Sequence, residues 1–173
     1  LDGKENFTKK LNAFFTTEAE NSNKFLGQEA MIGQYAHGNE PSHHIIYLYA
    51  YSTRPETGQK YIHQVINEFH NNTPDGMIGN DDCGQMSAWY ILSTLGFYPI
   101  NPASGDFVLG SPQMKKATLH LPKNKSFTIE AKNISEQAIY NETRFLNGTK
   151  MNTSFITYQD VMNGGTLIFE MTH

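Results

Sequence analysis

The hydrophobic period changes once along this chain, around Pro99 and Pro102, and that change restricts the fold more than any other feature. Before it, apolar residues recur at helical spacing. Phe7, Leu11, Phe14 and Phe15 mark one helix over residues 5–15. A second helix spans 56–70, where Tyr61, Ile62, Val65, Ile66 and Phe69 form a broad stripe. Residues 86–95 are apolar nearly all round and predict a buried helix, with Gly96 as its terminal glycine. Between the first two, Asn39 is placed to cap a further helix that takes in Pro41, Ile45, Ile46, Leu48 and Tyr49 and stops at Arg54-Pro55. Residues 16–33 read as a polar surface loop, and residues 71–76 as a turn.

After the change, apolar and polar residues alternate. Short strands are predicted at 107–109, 117–121, 127–131, 154–158 and 166–171. Two more flank Asn147-Gly148, the strongest short hairpin signal. The expectation is about six or seven antiparallel strands. Helices followed by strands argue for an α+β fold of two packed units. About four helices are too few to close a toroid, and they fit the end of a larger helical array.

With 173 residues, 38% hydrophobic and 17% charged, the chain can bury a real core. A net charge of -4 gives no footprint for nucleic acid and no polybasic membrane patch. No apolar run approaches the roughly 20 residues of a membrane span. The single cysteine, Cys83, forbids an internal disulfide and leaves the compartment open. The chain starts at Leu1-Asp2 without an initiator Met and reads as a piece cut from something longer, so a missing signal peptide says nothing about the parent.

Two polar, glycine-containing loops lead into the helical patterns: Tyr35-Ala36-His37-Gly38-Asn39-Glu40-Pro41-Ser42-His43-His44 and Gly79-Asn80-Asp81-Asp82-Cys83-Gly84-Gln85. Asp81 and Asp82 repel one another as neighbours. Such a pair is tolerated when solvated, when it complements a helix dipole, when it binds a cation or when it does base chemistry. Their side chains diverge, so they should do different jobs. Glu40 also stands at a helix start, and with the Asp pair it offers carboxylates on separate loops, as glycoside hydrolysis requires. His43-His44 is a poor zinc chelate, because neighbours on a helix point about 100° apart. Asn39, Glu40, Asn80, Asp81 and Asp82 are hard oxygen donors better suited to calcium. Cys83 reads as a small buried residue and Trp89 as core.

The stretch from His37 to His44, together with Gly79-Asn80-Asp81-Asp82-Cys83-Gly84-Gln85-Met86-Ser87-Ala88-Trp89-Tyr90, resembles the family 92 glycoside hydrolases. Leu95-Gly96-Phe97-Tyr98-Pro99, Gly110-Ser111-Pro112 and the segment from Gly164 to Met171 are similar to that family too. The family comprises exo-acting α-mannosidases common in gut Bacteroidetes. The resemblance implies that residues 1–100 are terminal helices of an (α/α)6 catalytic domain and 101–173 a C-terminal antiparallel β unit. It implies inverting, calcium-assisted hydrolysis of α-mannosidic bonds of the α-1,2 type, on mannose-containing glycans such as N-glycans. It assigns Asp82 as general base and Asn80 to the position of a helper carboxylate in relatives. His37, Glu40, His43 and Asp81 are implied as sugar contacts, with Asn39 and Glu40 near the Ca2+ ion. A hard cation chelating O2 and O3 of mannose would favour the distorted ring of an oxocarbenium-like transition state.

The family's general acid is a Glu in an aromatic motif upstream, and this chain has no such motif. The chain alone is therefore expected to be inactive, with the remainder of the parent chain as its partner. The parent is expected in the periplasm, on the outer surface or secreted. A non-catalytic carbohydrate-binding or scaffold module is the competing reading, and turnover by the full-length protein separates the two.

Overall fold

The computed structural model describes residues 3–18 and 31–173. Most of the loop predicted over 16–33 therefore lies outside the described residues. Contacts divide the chain into two units, Leu1–Ile91 and Leu92–His173.

In the first unit, helix α1 (Lys4–Thr16) buries Leu11 and Phe15, the face its spacing predicted. Strands β1 (Met31–Ile32) and β2 (Tyr35–Ala36) then form a small antiparallel ribbon. The helix expected from Asn39 onward is instead two 3-10 segments, Glu40–Ser42 and Ile45–Tyr51, and the Asn39 side chain makes no cap bond. The run Ile45-Ile46-Tyr47 is β-branched and aromatic, which weakens α-helix propensity. Three residues per turn bring Ile46 and Tyr49 onto one side. Helix α2 (Pro55–Glu68) begins at Pro55, a proline at a helix start, and packs there through Gly58. A Cβ on Gly58 would lie 2.7 Å from the Tyr49 Cβ, so only glycine permits this approach. Phe15 stacks on Tyr61 at 4.5 Å and on Tyr35 at 5.1 Å, joining α1, α2 and the ribbon in one aromatic core.

Helix α3 (Gln85–Leu95) follows a short 3-10 turn, Asp82–Gly84. Met86 and Trp89 are fully buried, but Tyr90 and Ile91 are exposed, so the helix is not buried all round as its composition suggested.

The second unit holds two sheets. Strands β3 (Phe97–Asn101), β4 (Asp106–Leu109) and β9 (Phe155–Thr157) form one, in the order β3-β4-β9. Pro99 is compatible with β3 because β3 is an edge strand. The other sheet has the order β5-β6-β10-β7-β8, built from β5 (Lys116–Leu121), β6 (Lys125–Lys132), β7 (Tyr140–Leu146), β8 (Thr149–Lys150) and β10 (Gly165–Thr172). Asn147 and Gly148 both take positive φ, 51° and 80°, and close the β7–β8 hairpin as their sequence predicted. One pair departs from the antiparallel expectation. The chain returns through β9 and helix α4 (Tyr158–Asn163), and β10 enters the sheet centre parallel to β6 and antiparallel to β7. Alternate residues Phe127, Ile129 and Ala131 of β6 and Leu167, Phe169 and Met171 of β10 fill the core of this unit.

Candidate active site

Both polar loops belong to the first unit, and the structure brings them together. Gly79 has φ +75°, and a Cβ there would lie 2.7 Å from the Gly38 carbonyl oxygen, so the two loops touch backbone to backbone. We expect Gly79→Ala to lower stability by about 1–3 kcal/mol through a strained φ and this clash. A urea titration checks it, and an unchanged midpoint would show that the loops need not meet.

The second loop sorts its two acids. Asp81 adopts left-handed backbone, φ 51°, a conformation Asp tolerates. Its Oδ1 accepts from the Ser87 backbone N–H at 2.9 Å, and its Oδ2 from the Ser87 hydroxyl at 2.7 Å. The carboxylate thus satisfies an otherwise orphaned N–H in the first turn of α3. Those bonds, the backbone one foremost, hold Asp81 below the ordinary carboxylate range. Asp81, expected among the sugar contacts, is committed to the helix start.

Asp82 is exposed, and among the described residues no hydrogen bond engages its carboxylate. Its backbone N–H instead reaches Glu40 Oε1 at 3.4 Å, linking the loops across 42 residues. Cys83, on its other side, is also left-handed at φ 54° and is exposed, not buried as its residue type suggested. Asp82 is therefore held between two positive-φ residues. Non-glycine residues in such regions cost on the order of 1–3 kcal/mol and cluster at functional sites.

The first loop places its histidines inside. His37 is 0% exposed and His43 is 1% exposed. The Tyr35 hydroxyl lies 2.9 Å from His37 Nδ1. The His37 ring stacks on His43 at 4.8 Å and meets Trp89 edge-on at 4.3 Å. Burial, reinforced by His43 and His70, pushes the His37 pKa down to about 2, and burial lowers that of His43 as well. Both rings, expected among the sugar contacts, are thus buried within this chain. His44 is exposed, so the His43-His44 pair diverges as its spacing predicted. Asn39 and Asn80 are exposed and Glu40 is half-buried, so these three and Asp82 stay accessible along the rim of their own loops.

Among the described residues, no three His, Cys, Asp or Glu side chains converge as a metal site. Asn39, Glu40, Asn80 and Asp82 still offer hard side-chain oxygens, and calcium also takes backbone carbonyls and waters, so the donor types here fit that ion. A cleft of about 620 Å3 lies nearby, lined by His70, Asn71, Thr73, Met77, Ser87 and Tyr90. None of Glu40, Asp82 or Asn80 lines it, so the chemistry of the loops and not this depression marks the site. The sequence reading placed Gln85, Met86 and Ser87 in the motif but gave them no role of their own. They act on the acids and histidines from the next helix, and only the three-dimensional contacts reveal that.

The profile of the glycosyl hydrolase family 92 catalytic domain matches residues 1–173. A family GH92 α-mannosidase from Bacteroides thetaiotaomicron is 41% identical, with 98% of this chain and 22% of that chain covered and a TM-score of 0.87. Its complex with mannoimidazole superposes with a TM-score of 0.89. A family GH92 inverting mannosidase of the same organism is 33% identical over 98% of this chain and 24% of its own, with a TM-score of 0.81. An uncharacterized secreted glycosidase of Arthroderma benhamiae is 31% identical over 133 residues, 75% of this chain and 17% of that protein. The chain thus spans about a fifth of the length of the relatives it matches.

Proposed function

This chain belongs to glycosyl hydrolase family 92, and from that premise we propose that it carries the base side of the active site of an exo-α-mannosidase. The observation that supports this most is the division of labour in the acid pair. Asp81 is engaged by Ser87, while among the described residues no hydrogen bond engages the Asp82 carboxylate beside Glu40. In this reading Asp82 takes a proton from water as the water oxygen attacks the anomeric carbon. A carboxylic acid supplied by the rest of the protein protonates the departing glycosidic oxygen on the opposite face. The two carboxyl groups of an inverting pair stand about 6.5–9.5 Å apart to admit that water. Glu40, Asn39 and Asn80 face the sugar from the rim, and the buried histidines hold the rim in place.

The substrate in this proposal is an α-1,2-linked mannoside at the end of a mannose-containing glycan. Two relatives support the sugar: one is a mannosidase crystallised with mannoimidazole, and another is described as an inverting mannosidase. Calcium enters as an ion of the full-length protein, held in part by the hard oxygens of Asn39 and Glu40. The secreted description of the fungal relative supports an extracytoplasmic setting. No described helix is long and apolar enough to cross a membrane.

The test uses full-length protein and α-1,2-mannobiose, with the first product followed by proton NMR. Inversion releases β-mannose first. Early α-mannose would overturn inversion, and binding without turnover would favour a carbohydrate-binding module. Chelation should lower kcat/KM and calcium restore it; full activity in chelator would remove calcium from the proposal.

A further inference from the structure

Besides the Gly38–Gly79 approach, the two loops share a long contact, Asp82 N–H to Glu40 Oε1 at 3.4 Å. His43 makes four polar contacts, one to its own loop and three to α3. Its Nε2 lies 3.0 Å from the His37 carbonyl oxygen and 3.1 Å from Met86 Sδ. Its Nδ1 lies 3.2 Å from Gln85 Nε2. Its own carbonyl accepts from the Trp89 indole N–H at 3.2 Å. The Gln85 amide can only donate through Nε2, so Nδ1 accepts and the ring proton sits on Nε2, where the His37 carbonyl receives it. This neutral tautomer serves both the His37 carbonyl and the Gln85 amide, with Met86 Sδ a weak acceptor beside the same Nε2–H. The contacts reach residues 85, 86 and 89, on the first turns of the helix that Asp82–Gly84 leads into.

We propose that His43 is a positioning residue for the base: it sets the first turn of α3, and through it Asp82, against the segment that carries Glu40. This rests on the reading of Asp82 as base. Only the short 3-10 turn separates Asp82 from Gln85, and its left-handed residues leave little slack to absorb a shift. A misplacement of about 1 Å at a reacting group costs about 100-fold in rate.

The test compares variants of the full-length protein. His43→Phe keeps a ring and removes both imidazole contacts. His43→Gln keeps a donor toward the His37 carbonyl and loses the Nδ1 acceptor. We expect kcat to fall about 10- to 100-fold for Phe, less for Gln, with KM within about twofold in both, because an interaction realised only in the transition state is lost. A raised KM with unchanged kcat would make His43 a sugar ligand and overturn the inference. Unchanged kcat and KM with a lower unfolding temperature would make it purely structural and overturn it equally. If His43→Phe does not fold, Gln85→Leu removes the Nδ1 contact from the other side and must reproduce a kcat-only loss. Full turnover by Asp82→Asn would instead remove the base assignment, whereas an inactive Asp82→Asn beside normal His43 variants would remove only the positioning role.

Discussion

Asp82→Asn in the full-length protein is expected to lower kcat on an α-1,2-mannoside by about 10²–10⁴-fold, the range that a positioned general base contributes. The substitution is nearly isosteric, and no described hydrogen bond depends on the carboxylate it removes, so the urea midpoint should stay unchanged. KM should move little, since the change removes proton transfer and not sugar contacts. Asp81→Asn provides the contrast. There one carboxylate oxygen that accepts from Ser87 becomes an amide, so the start of α3 loosens and stability falls. Two adjacent acids thus give opposite signatures: lost rate with kept stability at Asp82, lost stability at Asp81. Steady-state kinetics with urea titrations on both variants would check this. Wild-type turnover in Asp82→Asn would refute the base role.

That contrast marks where sequence reasoning reaches its limit. The period change near residue 100 separated the long helices from the main sheets, because burial of one face imposes a period of 3.6 or 2 on any chain, but it did not mark the β1–β2 ribbon before it or α4 after it. Leu11 and Phe15 of α1, the stripe of α2 and the Asn147-Gly148 turn were legible for the same local reasons. The 3-10 course of Ile45–Tyr51 was not, because an apolar run of that length suits either helix and packing against Gly58 selects the tighter one. The parallel register of β6 and β10 depends on where the chain re-enters the sheet, which no local pattern records. The motif around Asp82 was legible as a long match to one family. Which member of the acid pair is engaged was not, since that depends on the Ser87 N–H arriving at Asp81. Likewise His37 and His43 sit in a polar sequence context and lie buried, because Trp89, Met86 and Tyr35 close around them.

Those buried histidines give the second large effect. His37 titrates near 6.5 in an unfolded chain and at about 2 when folded, because burial and then the neighbouring His43 and His70 disfavour its charge. Burial lowers His43 and His70 in the same direction. Below pH 6.5 the unfolded state binds a proton that folded His37 refuses. Stability is therefore full above that pH and falls as the solution is acidified, by about 1.4 kcal/mol per pH unit for one such group. Relative to a pH well above 6.5, His37 alone has removed about 2.7 kcal/mol by pH 4.5, a large share of a domain's typical reserve. Asp81 does not contribute in that window. Its folded pKa lies below 3.8, so its stabilisation is lost only as pH falls through the carboxylate range. Urea midpoints at pH 7.5, 6.0 and 4.5 should fall steadily, and His37→Phe should flatten the slope by about one proton. A flat profile from pH 7 to 5 would show that these rings take up protons in place. Because His43 bridges the two loops, loss of the histidine packing in acid would release Asp82 from Glu40 at the same time. Activity should therefore fall on the acid side together with stability, following the imidazoles.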